Sequence, residues 1–289
     1  MRYYLDSIVT LVLHREYLSI MTILETVEKS LGAIGNVFSI GESECGNPIL
    51  CIHRGSYSGR QLIITAAIHA RECYTALVAL KQAQEFSSPD GGAYFVPLVN
   101  PDGALFFENG ETFGRELLIN NLEKRHEWKA NADGVDLNTN FDARWGSGRY
   151  NVNTAGASDY IGKSPLSAKE SRALAAFTEK VMPSSAVSYH CMGGELYWEF
   201  FQTGAARRRD ERIAKAVAEH IGVKKVDGDL QSAGGYKDYC VQKLGIPAIT
   251  VELIKSGAHP FPPQAYAEDV AKNADLPSYL LNLLNNRSE

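Results

Sequence analysis

Four apolar runs in this chain each end abruptly on a polar residue: QLIITAAI on His69, AYFVPLV on Asn100, SAVSY on His190 and PAITV on Glu252. Such runs, with little polar alternation, fit strands buried on both faces, as in the parallel sheets of α/β proteins. Segments with helical character lie between and after them: CYTALVALKQAQEF, SAKESRALAAFTEKVM, RRDERIAKAVAEHIG and DLPSYLLNLLNN. Strands alternating with helices predict an α/β fold: a central mixed, mostly parallel twisted sheet flanked by helices on both faces. Two shorter β-rich runs, NVFSIGES and NPILCIHRG, read as a hairpin or paired strands. Asn100-Pro101-Asp102-Gly103 reads as a turn.

No repeat, low-complexity tract or long linker divides the chain, and 289 residues with 45% apolar content can bury one large core. Residues 1–289 are therefore expected to form one domain, with a helical segment over residues 1–30 packed on it (Leu18, Met21, Leu24, Val27 and Leu31 carry the spacing). A stretch from about residue 107 to 165, rich in Asn, Gly and Arg, is too long for an ordinary connection and reads as functional. The net charge of -5 and pI near 5.9 offer no long-range attraction to nucleic acid or anionic membranes, so a small molecule or peptide is the expected partner. Asp6, His14, Arg15 and Glu16 interrupt the N-terminal apolar patch too early for a spanning helix or a secretory signal. Five scattered cysteines without CxxC spacing suggest neither a disulfide framework nor a thiolate metal site. A cytoplasmic location is the expectation; oligomeric state is left open.

The ends of the apolar runs carry the chemistry. His69 and Glu72, in the string HARE, are close enough to share one Zn²⁺, although His and Glu at this spacing also occur on ordinary solvated turns. His190 adds an imidazole about 120 residues downstream, at a strand's carboxyl end, where open α/β sheets place their sites. A lone His there also reads as a satisfied core residue. Glu252, between Val251 and Leu253, is either an outward-facing strand residue or a carboxylate with a raised pKa, able to take a proton from water near neutral pH.

These residues lie in strings that run, in order, HARE (69–72), NPDG (100–103), GVDLNTNFD (134–142), SYH (188–190), GGYKD (234–238) and TVEL (250–253). In order and spacing they span most of the chain, which resembles the M14 zinc carboxypeptidases, with the carboxypeptidase A fold. The resemblance implies an enzyme with one zinc ion held by His69, Glu72 and His190, and Glu252 as general base. Lys129, in WKAN, falls where digestive members carry the Arg that faces the negative charge developing on the scissile oxygen. Lysine keeps that charge but lacks the planar fork. Arg71 falls in the substrate cleft by the same mapping, or else forms a surface ion pair.

The departures bear on specificity. Family members hold a terminal carboxylate with an Asn-Arg pair and a mobile Tyr; here the pair is Asn138-Thr139 and the aligned Tyr position is Leu230. Thr cannot replace a bidentate Arg clamp. The strings WKAN…GVDLN and NFDARWG look like those of bacterial γ-D-glutamyl-diaminopimelate peptidases, whose cell-wall muropeptide substrates need different anchors. Lys237 falls where family members line the base of the pocket for the residue after the scissile bond, and favours an acidic group there; alternatively it is an exposed lysine on a turn. Arg144 and Arg149 are candidate replacements for the missing arginine. The expected activity is hydrolysis of a γ-D-glutamyl-diaminopimelate bond. The alternatives are a general metallocarboxypeptidase, an amide hydrolase acting on a small acylated amino acid, and a catalytically silent muropeptide-binding protein.

Overall fold

A computed structural model describes residues 21–228 and 231–286. Its eight-stranded sheet has the order β1 (Val37–Glu42), β2 (Pro48–Gly55), β4 (Gly91–Val96), β3 (Arg60–Ala66), β5 (Ser185–Cys191), β8 (Ala248–Leu253), β6 (Glu195–Tyr197), β7 (Lys224–Val226). The four middle strands, β4, β3, β5 and β8, run parallel. At one edge β2 joins β4 antiparallel and β1 pairs antiparallel with β2, the pairing expected from the two short runs. At the other edge β6 runs antiparallel to β8 and parallel to β7. Around the sheet lie α1 (Ile23–Ile34), α2 (Ala76–Glu85), α3 (Pro101–Asn109), α4 (Glu116–Ile119), α5 (Lys169–Val181), α6 (Gly204–Ile221), α7 (Tyr236–Lys243), α8 (Ala267–Asn273) and α9 (Leu276–Asn285). The architecture is the α/β fold read from the apolar runs.

The two-residue period of a strand sends alternate side chains into different cores. Val187, Tyr189 and Cys191 of β5 join Ile249, Val251 and Leu253 of β8 in one core, with residues of α2, α6 and α9. Ala186 and Ala248 face the other, with residues of α5 and α7. Those strands are apolar throughout because both faces are covered. Of the expected N-terminal helical segment, residues before 21 lie outside the described residues. α1 begins with a capping box between Thr22 and Glu25 and buries Ile23, Val27 and Leu31.

Asn100-Pro101-Asp102-Gly103 is a helix start rather than the expected turn. The Asn100 side chain accepts the Gly103 N–H at 3.0 Å and Pro101 opens α3, where its missing N–H costs nothing. A Cβ on Gly103 would stand 2.7 Å from the Ala130 carbonyl oxygen, so only glycine fits. The stretch from 107 to 165 is largely irregular as anticipated, pinned by buried Trp128, Leu137 and Phe141. All five cysteines are free thiols. Among the described residues no helix is long and apolar enough to cross a membrane.

Candidate metal centre

His69, Glu72, His190 and Glu252 lie at the carboxyl ends of three neighbouring parallel strands, β3, β5 and β8. His190 and Glu252 are direct register partners, so both side chains leave the sheet on the same face. His69 follows β3 in a segment tied down from two sides. Asn100 Nδ2 donates to the carbonyls of Ile68 (3.3 Å) and Ala130 (3.1 Å), while the N–H groups of Ala70 and Arg71 donate to the carbonyls of Lys129 (3.0 Å) and Trp128 (2.9 Å). The same ladder therefore sets Lys129 beside the metal-ligand loop. Ala67, at the bend, has φ 52°, a left-handed conformation that costs a non-glycine residue about 1–3 kcal/mol and often marks a functional turn.

Both Glu72 oxygens meet imidazole nitrogens: Oε1 lies 2.8 Å from His69 Nδ1 and Oε2 3.3 Å from His190 Nδ1. Oε2 also accepts the Cys191 N–H at 3.1 Å. All three residues are buried, and one ligand atom from each lies within 4.8 Å of the others. Two imidazoles and a carboxylate are a zinc donor set. The electrostatics fit as well. Burial opposes a charge on His69, yet Glu72 and Asp136 flanking the ring raise its pKa to about 9, so a metal bound there takes the place of a proton. Burial holds His190 below the ordinary histidine range, leaving the neutral imidazole that a metal needs.

Asp136 completes the centre and was not singled out as a site residue from the sequence. Its Oδ1 lies 3.2 Å from His69 Nε2, and the carboxylate also accepts the N–H groups of Asn138 and Asp159, each at 3.1 Å. Burial pushes its pKa up, but His69, Lys129 and the Asp159 N–H outweigh that and hold it well below the carboxylate range. A carboxylate on the far nitrogen of a ligand histidine fixes its tautomer and orientation. The signal was in the sequence: Asp136 stands between Val135 and Leu137 as Glu252 stands between Val251 and Leu253. Burial, and then the charge of Glu72, raise the Glu252 pKa to about 8, the behaviour expected of a general base.

Two clefts meet at this centre, one of about 510 Å³ and one of about 260 Å³, sharing His69, Lys129, Met192 and Glu252 in their walls. A larger hollow of about 720 Å³ lies at the opposite end of the sheet, beside Arg60 and Pro247, away from the acid–base residues. Arg71 lines the larger of the two clefts; Asn138, Lys237 and Asp238 line the smaller. Lys237 sits on the first turn of α7 rather than on a surface turn, its side chain only 10% accessible. Its ammonium lies 2.6 Å from Asp238 Oδ1 and donates to the Glu199 carbonyl at 2.8 Å. Asn138 Oδ1 accepts the Tyr236 N–H at 3.1 Å, joining the cleft wall to α7.

Thr139, Arg144 and Arg149 line neither cleft. The Thr139 hydroxyl donates to the carbonyls of Asp136 (2.9 Å) and Tyr160 (3.3 Å). Its own carbonyl packs so tightly on Gly234, φ 81°, that a Cβ there would be 2.4 Å away; backbone rather than side chain faces the glycine pair. Arg144 stacks over Phe201 at 3.9 Å, exposed. Arg149, also exposed, holds Gln231 by its N–H (2.9 Å) and Nη1 (2.7 Å). Leu230 lies outside the described residues. His259, unmarked by any sequence motif, enters the larger cleft, where burial lowers its pKa.

The zinc carboxypeptidase family description, Peptidase_M14, matches residues 20–275. The chain is 32% identical over 273 residues to the uncharacterized protein YqgT of Bacillus subtilis (strain 168), covering 83% of this chain and 72% of that one. It is 30% identical over 247 residues to gamma-D-glutamyl-L-diamino acid endopeptidase 1 of Lysinibacillus sphaericus, covering 77% of this chain and 61% of the relative. The chain thus spans less than two thirds of that enzyme. The fold is shared with thrombin activatable fibrinolysis inhibitor (TM-score 0.73, 18% identity, 94% of this chain and 80% of that one). It is also shared with murein-tripeptide amidase MpaA from Escherichia coli O157 (TM-score 0.56, 21% identity, 86% of this chain and 92% of that one). The chain belongs to the zinc carboxypeptidase family, Peptidase_M14, and is a zinc metallopeptidase.

Proposed function

We propose that this metallopeptidase hydrolyses the amide bond between a γ-D-glutamyl residue and diaminopimelate in a small cell-wall peptide. The observation that carries the reading is the Lys237–Asp238 pair, buried in the wall of the smaller cleft. By family resemblance that cleft takes the residue after the scissile bond. The distal centre of diaminopimelate bears a carboxylate and an ammonium, and a lysine–aspartate pair offers a complement to each. The Lys237 ammonium is ion-paired with Asp238 and donates a hydrogen bond to the Glu199 carbonyl, which leaves donor capacity for the substrate. Thr139 in place of an arginine fits a substrate that is not an ordinary C-terminus, and the name of the Lysinibacillus sphaericus relative supports the same bond class.

His69, Glu72 and His190 would hold the zinc, which when bound supplies Lewis acidity to polarise the scissile carbonyl and acidify water. Glu252, its pKa raised by burial, takes a proton from water and returns it to the leaving amine nitrogen. Lys129, in the wall of both clefts, offsets negative charge on the scissile oxygen. The test is to offer the zinc-loaded protein L-Ala-γ-D-Glu-diaminopimelate, its lysine counterpart and ordinary C-terminal peptides. The expected order of kcat/KM follows that list. Cleavage of ordinary peptides alone refutes the proposal.

A further inference from the structure

His259 takes no part in the metal cluster, yet it lines the 510 Å³ cleft together with Arg71, Lys129 and Glu252. Its Nε2 lies 3.1 Å from the Cys191 carbonyl oxygen. A carbonyl only accepts, so Nε2 carries the proton and Nδ1 of the neutral ring is a bare acceptor. Nδ1 is buried, and no described residue donates to it. In the same wall Arg71 Nε is a buried donor with no acceptor. His126 Nδ1, farther along the same lining, is also buried without a partner. A buried polar atom left unpaired costs about 1–3 kcal/mol, so an unpaired acceptor and an unpaired donor in one wall call for a ligand presenting a donor and an acceptor together.

We propose that His259 Nδ1 accepts the α-amide N–H, and Arg71 binds the free α-carboxylate, of the γ-linked glutamyl residue on the acyl side of the scissile bond. This inference rests on the γ-glutamyl reading above. The smaller cleft serves the amine-side residue, so the acyl-side residue falls to the cleft that holds Arg71 and His259. In a peptide linked through its α-carboxyl, the α-carbon adjoins the scissile carbonyl and bears no free carboxylate. Linkage through the γ-carboxyl moves the α-carbon two methylenes away, with N–H and carboxylate side by side. The His259 ring, anchored on Cys191, reads the substrate and carries no proton in the reaction.

The test compares zinc-loaded wild type on L-Ala-γ-D-Glu-diaminopimelate, on its α-carboxamide analogue, and on an ester analogue in which oxygen replaces the α-amide N–H. Each change should lower kcat/KM about tenfold or more, mainly through KM. His259→Phe, which keeps a ring but loses the acceptor, should lower kcat/KM on the parent peptide by a similar factor and leave the ester unchanged. A binding measurement needs neither metal nor turnover: by calorimetry, metal-free wild type should hold the product L-Ala-D-Glu about tenfold more tightly than H259F does. Equal losses on parent and ester in H259F, or wild type indifferent to both analogues while cutting the parent, overturn the inference alone. A wild type that cuts no γ-glutamyl peptide overturns the proposed function and this inference with it.

Discussion

The two clefts that meet at Glu252 are built on opposite terms. In the smaller, the Lys237 ammonium already has company, an ion pair with Asp238 and a hydrogen bond to the Glu199 carbonyl, before any substrate arrives. In the larger, Arg71 Nε and His259 Nδ1 have none. A substrate entering the first exchanges one arrangement of charges for another, so the net gain is small and mostly geometric. A substrate entering the second relieves atoms that burial has penalised, so a missing group on it is felt in full. One residue joins the larger cleft to the His69–Glu72–His190 cluster. Cys191 donates its N–H to Glu72 at 3.1 Å and accepts from His259 at 3.1 Å, so the His259 wall of the larger cleft is tied to Glu72.

That contrast can be tested at several depths. Glu252→Gln touches the wall common to both clefts and should lower kcat on the order of 10³-fold for every substrate alike, with zinc content unchanged by atomic absorption. A loss confined to one substrate class would mean the clefts do not share a base. Asp136→Asn loosens His69 without touching either cleft; competition against a chelator should show zinc affinity reduced about 10–100-fold, and unaltered affinity would deny Asp136 its orienting role. Lys237→Met should cost about tenfold in kcat/KM on the diaminopimelate peptide and almost nothing on the lysine peptide. An equal loss on both would reduce the pair to a structural prop. Smallest of all is Arg149→Ala, expected to change kcat/KM less than about threefold because the side chain is exposed and reaches the smaller cleft only through the Gln231–Ser232 segment. A larger effect would restore Arg149 as a direct substrate anchor.

How far the centre could be read in advance varied with where each residue sits. His190 and Glu252 end apolar runs, and a polar side chain at the carboxyl end of a buried strand has few places to go except a site. Asp136 obeys the same logic outside any strand, and its role was recoverable from its apolar neighbours. Thr139 was marked by its place in the family's Asn-Arg pair, and Arg144 and Arg149 by residue type and by lying in the Asn/Gly/Arg-rich stretch. Their side chains go elsewhere: to two carbonyls, to the Phe201 ring and to Gln231. NPDG had the composition of a turn, and only the helix that follows made it a cap.

The amino-acid sequence by itself determined the α/β sheet, the strand ends where the ionisable residues gather, and the acid–base and metal-binding types found there. These follow from local periodicity and side-chain chemistry, which a linear chain displays. Only the tertiary structure decided which of those polar atoms are satisfied and which are left waiting. Lys237 became half of a buried pair because α7 carries it beneath Glu199. His259 became an acceptor because a carbonyl 68 residues away holds its other nitrogen. Pairing and burial are properties of distance in space, and the distance along the chain does not report them.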